Sequence, residues 1–425
     1  MAAVREALGA LTVRGRAFLA AGITTVVAAI VVGHSSVVRI GVLVAVLPLL
    51  TAWWVGRSRY RLSLVRTVSP QLVVAGQPAT VELTVSNESR TPTGVLLLEE
   101  RLPYVLGTRP RFVLEGLGHG WRRHATYQVR SELRGQFDIG PMSVRVTDPF
   151  GLVELGRTFH ATSRLTVTPR TVALPSIPLG GAWTGSGDNR PRAFATGSAE
   201  DVTVREYRRG DDLRRVHWRS SARVGELMVR REEQPWQSRA TVFLDNRGTS
   251  HRGQGAASSL EGAVSAAASI AVHLAHHGYT VRLVTASGDS RETEWHSHAA
   301  GAGTIPLLEA LAVVQLDHSP APDTQWLAEP GHGGLTIGIF GGLGEQDLPF
   351  LRRLQHHASS SLAIALDVDA WAPHLPVQPG PGAAAHLTST GWRSITVGPR
   401  DRLDTAWQEL GLLQSRATAS AGAAR

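Results

Sequence analysis

Two apolar runs dominate the start of the hydrophobic pattern. Residues 17–33 carry no charge, and residues 37–55 form a second run broken only by Arg39 and Pro48. Each approaches the ~20 residues that cross a bilayer as a helix. The break at His34-Ser35-Ser36 is tight enough to predict a hairpin, with Trp53 and Trp54 placed as interfacial anchors. Arg5, Arg14 and Arg16 precede the hairpin and Arg57, Arg59, Arg61 and Arg66 follow it, against one Arg near the tip. The positive-inside rule then puts both outer ends in the cytoplasm, so residues 1–66 are expected to form a multi-pass cell-membrane anchor with the rest of the chain cytoplasmic. A signal peptide followed by a buried helix is the competing reading. No small-residue cleavage pattern supports it, and a second run follows.

The pattern then changes period. Between residues 67 and 170, apolar and polar positions alternate, as at Val81, Leu83 and Val85. Further short strands are predicted at 95–98, 112–114, 126–129, 142–146 and 165–168, with Gly, Pro, Asn and Asp between them. Short strands at this spacing predict a β-sandwich. Residues 171–200 have no period and read as a Gly/Pro/Ser-rich linker. Its glycines are a poor phosphate cradle, because no Lys follows and no strand–helix frame encloses them. From residue 239, strands (240–245, 280–285, 335–340, 362–367, 394–397) alternate with helices (258–277, 305–314, 348–357, 402–413). That predicts a mostly parallel sheet covered on both faces over residues 239–415. Residues 416–425 read as a disordered tail.

Composition removes several chemistries. The chain has no Cys, which excludes disulfides, thiol nucleophiles and Cys-ligated metals. It has no Lys either, so all 43 basic residues are Arg; a P-loop lysine and Schiff-base chemistry are excluded. With Arg the only basic residue, Arg clusters are weak evidence for nucleic acid. The net charge of +8 is assigned to an anionic membrane surface and no nucleic-acid partner is expected. No Ser has Gly two residues away on both sides, so a nucleophile elbow is missing. His273, His276 and His277 share a helical neighbourhood without an H-E-x-x-H pattern and read as a solvated face; His296 and His298 read as loop.

The densest charged segment is 204–234, with nine Arg against six acids. Gly210 reverses the chain, Asp211 or Asp212 can cap a helical turn, and Gly225 turns it again before a short strand at 227–229. The series G-D-D-x-R-x-x-x-W-x-x-S-A-R-x-G-x-L-x-V-R within 201–238 resembles the signature of the DUF58 family. The runs R-G-Q-F-D-I-G (134–140) and D-P-F-G-L (148–152) resemble a second element of that family. Asp148 and Phe150 are expected to form a turn with a buried aromatic plug, the other reading being a contact surface. The signature residues Gly210, Asp211, Asp212, Arg214, His217, Trp218, Arg219, Ser221, Arg223 and Gly225 are expected to form a salt-linked scaffold or docking face, with Trp218 buried against the α/β domain.

The resemblance implies a multidomain architecture in which a transmembrane hairpin and a β-sandwich precede a von Willebrand factor A-like (vWA-like) α/β domain. It also implies association with a MoxR-type AAA+ ATPase and a transglutaminase-like membrane protein. vWA domains commonly bind a divalent metal through D-x-S-x-S after the first strand. Here that run is Asp245-Asn246-Arg247-Gly248-Thr249: Asp245 and Thr249 match, Arg247 stands where the first Ser belongs, and Gly341-Gly342 replaces a later carboxylate. Arg247 would repel a cation and pair with Asp245, so no metal and no other cofactor is expected. The resulting reading is a non-enzymatic, membrane-tethered assembly or adaptor protein that serves cell-envelope work. The alternatives are a hydrolase built on His217 and the signature acids, and a metal-dependent adhesion module.

Overall fold

The computed structural model describes residues 9–57, 62–88, 95–115, 118, 120–148, 150–179, 204–207, 216, 218–230, 238–288, 290–292, 302–328, 334–377 and 380–423. The chain forms two compact units. The first gathers residues 1–171, 254–268 and 308–315, and the second residues 172–253, 269–307 and 316–425.

The first unit opens with two antiparallel apolar helices, α1 (Val13–Val32) and α2 (Ser35–Arg57), of 20 and 23 residues. Both are long and apolar enough to cross a membrane. Thr12 caps α1 by accepting a hydrogen bond from the Gly15 amide, and Gly33 closes it in the left-handed conformation at φ 79°. The helices meet through small residues. A Cβ on Gly22 would stand 2.5 Å from the Ala45 amide nitrogen, and one on Gly41 2.8 Å from a Val26 methyl. Without a hydrophobic drive in lipid, such close backbone approach is what lets two helices pack.

Ten strands follow. They are β1 (Leu62–Ser69), β2 (Leu72–Val74), β3 (Pro78–Asn87), β4 (Val95–Glu100), β5 (Arg111–Leu114), β6 (Arg122–Arg130), β7 (Gly135–Ile139), β8 (Met142–Thr147), β9 (Glu154–Phe159) and β10 (Ser163–Thr168). They pair as three sheets, ordered β1-β3-β6, β2-β10-β7 and β5-β4-β8-β9. Alternation along β3 buries Ala79, Val81, Leu83 and Val85. These side chains share one core with Leu96, Leu98, Val144, Val146, Leu165 and Val167 from the other sheets. Side chains that point alternately in and out explain why one face is apolar and the other polar.

Strand β1 corrects the sequence reading, which ended the membrane segment at residue 66. Arg66 does not flank a span. Its side chain is 3% exposed and pairs with Glu100, itself 0% exposed, while Nη1 donates to the Ala161 carbonyl at 2.7 Å. The Tyr127 hydroxyl donates to the other Glu100 oxygen at 3.2 Å. Burial, with the Glu100 charge behind it, pushes the Tyr127 pKa up. Removing one side of such a pair strands a buried charge, at about 3–5 kcal/mol.

The second unit contains a six-stranded sheet. It is built from β13 (Ser238–Leu244), β14 (Tyr279–Thr285), β15 (Ser290–Glu292), β16 (Leu335–Phe340), β17 (Ser360–Leu366) and β18 (Arg393–Val397), after a separate antiparallel pair, β11 (Val204–Glu206) and β12 (Met228–Arg230). The six-stranded order is β15-β14-β13-β16-β17-β18, with only β15 antiparallel. Every residue of β16 and β17 is buried, as expected for strands covered on both faces. The helices are α3 (Trp218–Val224), α4 (Ser259–His276), α5 (Ile305–Val313), α6 (Leu348–His357), α7 (Val368–Trp371), α8 (Ala383–Ser389) and α9 (Leu403–Ala423); α4 and α5 contribute residues to both units.

The expected tail, linker and histidine face are corrected in this unit. Helix α9 continues to Ala423, where a disordered tail was expected from 416; the Ala-rich continuation has high helix propensity. The expected linker from 171 begins with an ordered strap instead. The Val172 amide donates to Ser269 Oγ at 2.9 Å, Trp407 Nε1 donates to the Pro175 carbonyl at 3.0 Å, and Ile177 packs against Gly411. The remainder of that stretch, 180–200, lies outside the described residues. Finally, His273 is not on a solvated face. It is 7% exposed, edge-on to Trp407 and 4.2 Å, centre to centre, from the His277 ring.

Burial, reinforced by His277 and His276, lowers the His273 pKa to about 4 from 6.5. A histidine lowered on folding stabilises the fold fully above its unfolded pKa and loses that contribution as pH falls toward the folded value. The full chain is therefore expected to lose about 3 kcal/mol of stability between pH 6.5 and pH 4 through this ring. Urea titrations across that window should show the loss, and His273→Phe should flatten it. An unchanged slope in the variant would contradict the assignment.

Candidate functional site

Two sites come from the sequence, and they differ in what the fold does with them. The signature segment forms a small local structure within the second unit. Strands β11 and β12 pair antiparallel, Val216 bridges to Val229, and both valines are buried. Ser221 Oγ accepts the Met228 amide at 2.9 Å, which ties helix α3 to β12. Gly225, at φ 84°, ends α3 in the left-handed region, its amide donating to the Ser221 carbonyl.

Helix α3 carries Trp218, Arg219 and Arg223 on exposed positions. Trp218 is 70% exposed, so its expected burial against the α/β domain is corrected: α3 is one short helix held by Ser221 and the Val216–Val229 bridge, and the indole is left outside that contact. Val224 and Leu227 are exposed beside it in sequence. Gly210, Asp211, Asp212, Arg214 and His217 lie outside the described residues, as do His296 and His298. The capping and salt-linked roles expected of those acids fall there too.

The second site is the C-terminal end of β13. The strand order reverses between β13 and β16, and ligands of open α/β sheets bind in the crevice at such a switch point. Here the crevice is filled by the protein's own guanidinium. Arg247 is 2% exposed and grips Asp245 with both arms, Nε to Oδ1 at 2.9 Å and Nη2 to Oδ2 at 2.8 Å. Its Nη1 donates to Asp347 Oδ1 at 2.7 Å and to the Pro320 carbonyl at 3.2 Å. Burial alone disfavours the charge, but the two paired carboxylates outweigh it and hold the Arg247 pKa above its usual value.

The surrounding loops are fastened to this pair. Asn246 Oδ1 accepts the Ala286 amide at 3.0 Å, and the Gly248 amide donates to the Asp317 carbonyl at 2.7 Å. Asp347 Oδ2 accepts the Gly344 amide at 2.9 Å. Gly342 donates to the Ser250 carbonyl at 2.7 Å, and a Cβ on Gly341 would stand 1.9 Å from that same oxygen, so the glycine pair there serves close approach. His251 Nε2 lies 2.6 Å from the Asp245 carbonyl oxygen, and burial lowers its pKa.

These residues do not fit a divalent cation. Both Asp245 oxygens are engaged by Arg247, a cation already occupies the crevice, and Thr249 is exposed while Asp245 is buried. Among the described residues, no three His, Asp or Glu side chains gather as a metal-binding group. Sequence reasoning missed Asp347. Its only signal was an acid just before a helix, which reads as an ordinary cap.

Residues 203–322 match the model of a family described as protein of unknown function DUF58. No curated protein matches the chain. Among solved structures, the chain is similar to the CARDB domain of a Pyrococcus furiosus protein in complex with di-metal ions, at 18% identity, covering 25% of this chain and 88% of that one, with a TM-score of 0.20. It is also similar to the human seminal-plasma complex of zinc 2-glycoprotein and prolactin inducible protein, at 14% identity, 26% and 97% coverage and a TM-score of 0.21. A third is the Pseudomonas fluorescens alkylpurine DNA glycosylase AlkC, at 14% identity, 31% and 39% coverage and a TM-score of 0.17.

Arg247→Met is expected to destabilise the full chain by about 3–5 kcal/mol, because Asp245 and Asp347 are then buried without a counter-charge. Arg247→Lys should recover only part, since an ammonium cannot match the two-armed geometry. Chemical denaturation of the three proteins checks this. A loss below about 1 kcal/mol for Arg247→Met, the range of exposed pairs, would show that the pair is not a structural closure.

Proposed function

We propose that this chain, whose residues 203–322 match the DUF58 family model, is a membrane-tethered adaptor that works through protein–protein contact rather than through a reaction of its own. The observation that carries this reading is the exposed Trp218 on a helix otherwise held in place by its own segment. Tryptophan and arginine are the side chains most enriched where protein interfaces concentrate their binding energy. Helix α3 offers Trp218 with Arg219 and Arg223 on one short element.

The other expectations find support of different kinds. The two apolar helices are consistent with a membrane anchor, and the Arg residues at the outer ends favour both ends in the cytoplasm. Three sheets around one core support a β-sandwich reading of the first unit. A β15-β14-β13-β16-β17-β18 order with one antiparallel edge supports a vWA-like reading of the second. In that reading the closed switch point leaves the domain a metal-independent interaction module. The partner proposed, by family resemblance, is a MoxR-type AAA+ ATPase, with a transglutaminase-like membrane protein in the same assembly.

Trp218→Ala is expected to weaken binding of the purified MoxR-type ATPase by about 30-fold or more, the 2 kcal/mol or more typical of an interface anchor. Thermal unfolding should be unchanged, because the indole is exposed. Equal affinity of wild type and variant would remove the adaptor reading of this face. For topology, single cysteines at Ser58 and Ser415 should both resist a membrane-impermeant thiol reagent in intact cells. Labelling of both would reverse the orientation.

A further inference from the structure

The loop 148–153 is fastened to the base of the apolar hairpin. Asp148 shapes it: Oδ2 accepts the Phe150 amide at 3.0 Å and Oδ1 accepts the Val153 amide at 2.7 Å. The expected buried aromatic plug is corrected here. Asp148 does make the turn, but Phe150 is 62% exposed, because the turn spends its burial on Leu152 and Val153 instead. Thr12, the cap of α1, donates from its amide to the Leu152 carbonyl at 2.9 Å and from Oγ1 to the Gly151 carbonyl at 2.7 Å. The Glu154 amide donates to the Ala10 carbonyl at 2.8 Å. A Cβ on Gly15 would lie 2.2 Å from the Leu152 oxygen, so this glycine is what lets the loop lie against the helix.

The depth of the loop follows from its neighbours. Leu152 and Val153 form one cluster with Leu11 and Ala52, and Leu19 and Leu47 pack against it. Leu19 lies six residues into α1, about 9 Å along the axis and past Arg14 and Arg16, the last charges before the apolar stretch. The loop therefore runs alongside the helices at the level where charge gives way to hydrocarbon. Trp53, 61% exposed, stands at the same end of the hairpin. Exposed aromatic side chains at this level are what a headgroup–acyl boundary accommodates.

We propose that loop 148–153 is a third membrane-contact element, which places Phe150 in the headgroup–acyl boundary beside the hairpin base and so fixes the β-strand region against the bilayer surface. This rests on reading α1 and α2 as membrane spans. The occupant is lipid, because the loop is continuous with the surface that α1 and α2 present to the bilayer and shares its apolar cluster.

The absence of Cys from the chain makes single-cysteine labelling clean. Phe150→Cys, Ile23→Cys and Tyr104→Cys each take an environment-sensitive fluorophore in the full chain, reconstituted into phosphatidylcholine–phosphatidylglycerol vesicles with nitroxide-bearing lipids. Ile23 is an exposed mid-helix position of α1 and reports the span itself. Tyr104 is 89% exposed and follows Glu100, which pairs with Met142 at the far end of β8 from Thr147. That is about 17 Å along the strand from the loop. The expected result is that Ile23 and Phe150 labels are both quenched several-fold more than the Tyr104 label, Phe150 best by the shallow nitroxide. Quenching at Phe150 no greater than at Tyr104, with Ile23 quenched, overturns the proposal and leaves the spans standing; the loop then faces water or a protein. Ile23 quenched no more than Tyr104 overturns the span reading and the proposal together.

Discussion

The bidentate pairing of Arg247 with Asp245, extended to Asp347, is the constraint on which the second unit depends. It sits where the sheet's strand order reverses, the place at which this class of fold ordinarily leaves room for a ligand. A guanidinium taken fully out of water is costly unless its donors are matched. Here Nε, Nη1 and Nη2 all find oxygen partners, and the loops after β13, β14 and β16 are fastened around the same point. Closing the crevice in this way trades a binding site for a fixed arrangement of loops. On the signature helix, Trp218 is the most exposed large apolar side chain, at 70%.

The first unit uses buried charge in the same manner. Arg66 and Glu100 join β1 to β4 inside the β-strand region, and Tyr127 completes the pair from β6. Both ion pairs are specific in geometry and costly to break from one side. Each therefore penalises a mispaired strand more than an apolar contact would, since an apolar contact tolerates displacement.

Much of the architecture was legible because it rests on period and punctuation. Strand β16 and helix α6 fall at their expected bounds, 335–340 and 348–357, since each is a strongly patterned run between turn residues. Strand β1 was not legible: its Arg66 resembles the basic flank of a membrane helix, and only the distant Glu100 reveals it as core. The strap at 172–177 was hidden because Pro and Ser read as linker until Trp407 and Ser269 are placed beside them. At the sites, D-x-R predicted a pairing between Asp245 and Arg247, whereas Asp347, a hundred residues away, showed only the local pattern of a helix cap. Trp218 was read as able to bury against the α/β domain. A helix of seven residues held through Ser221 leaves it outside.

The proposed role of the signature helix is to present a protein-binding face. Photo-crosslinking from position 218 in membranes of cells expressing the full chain tests it most directly, with a second probe at Thr249, an exposed position on the closed switch-point loop. The expected result is a discrete crosslinked product from 218 that contains the MoxR-type ATPase, and none from 249. No product from 218, or the same products from both positions, would contradict it.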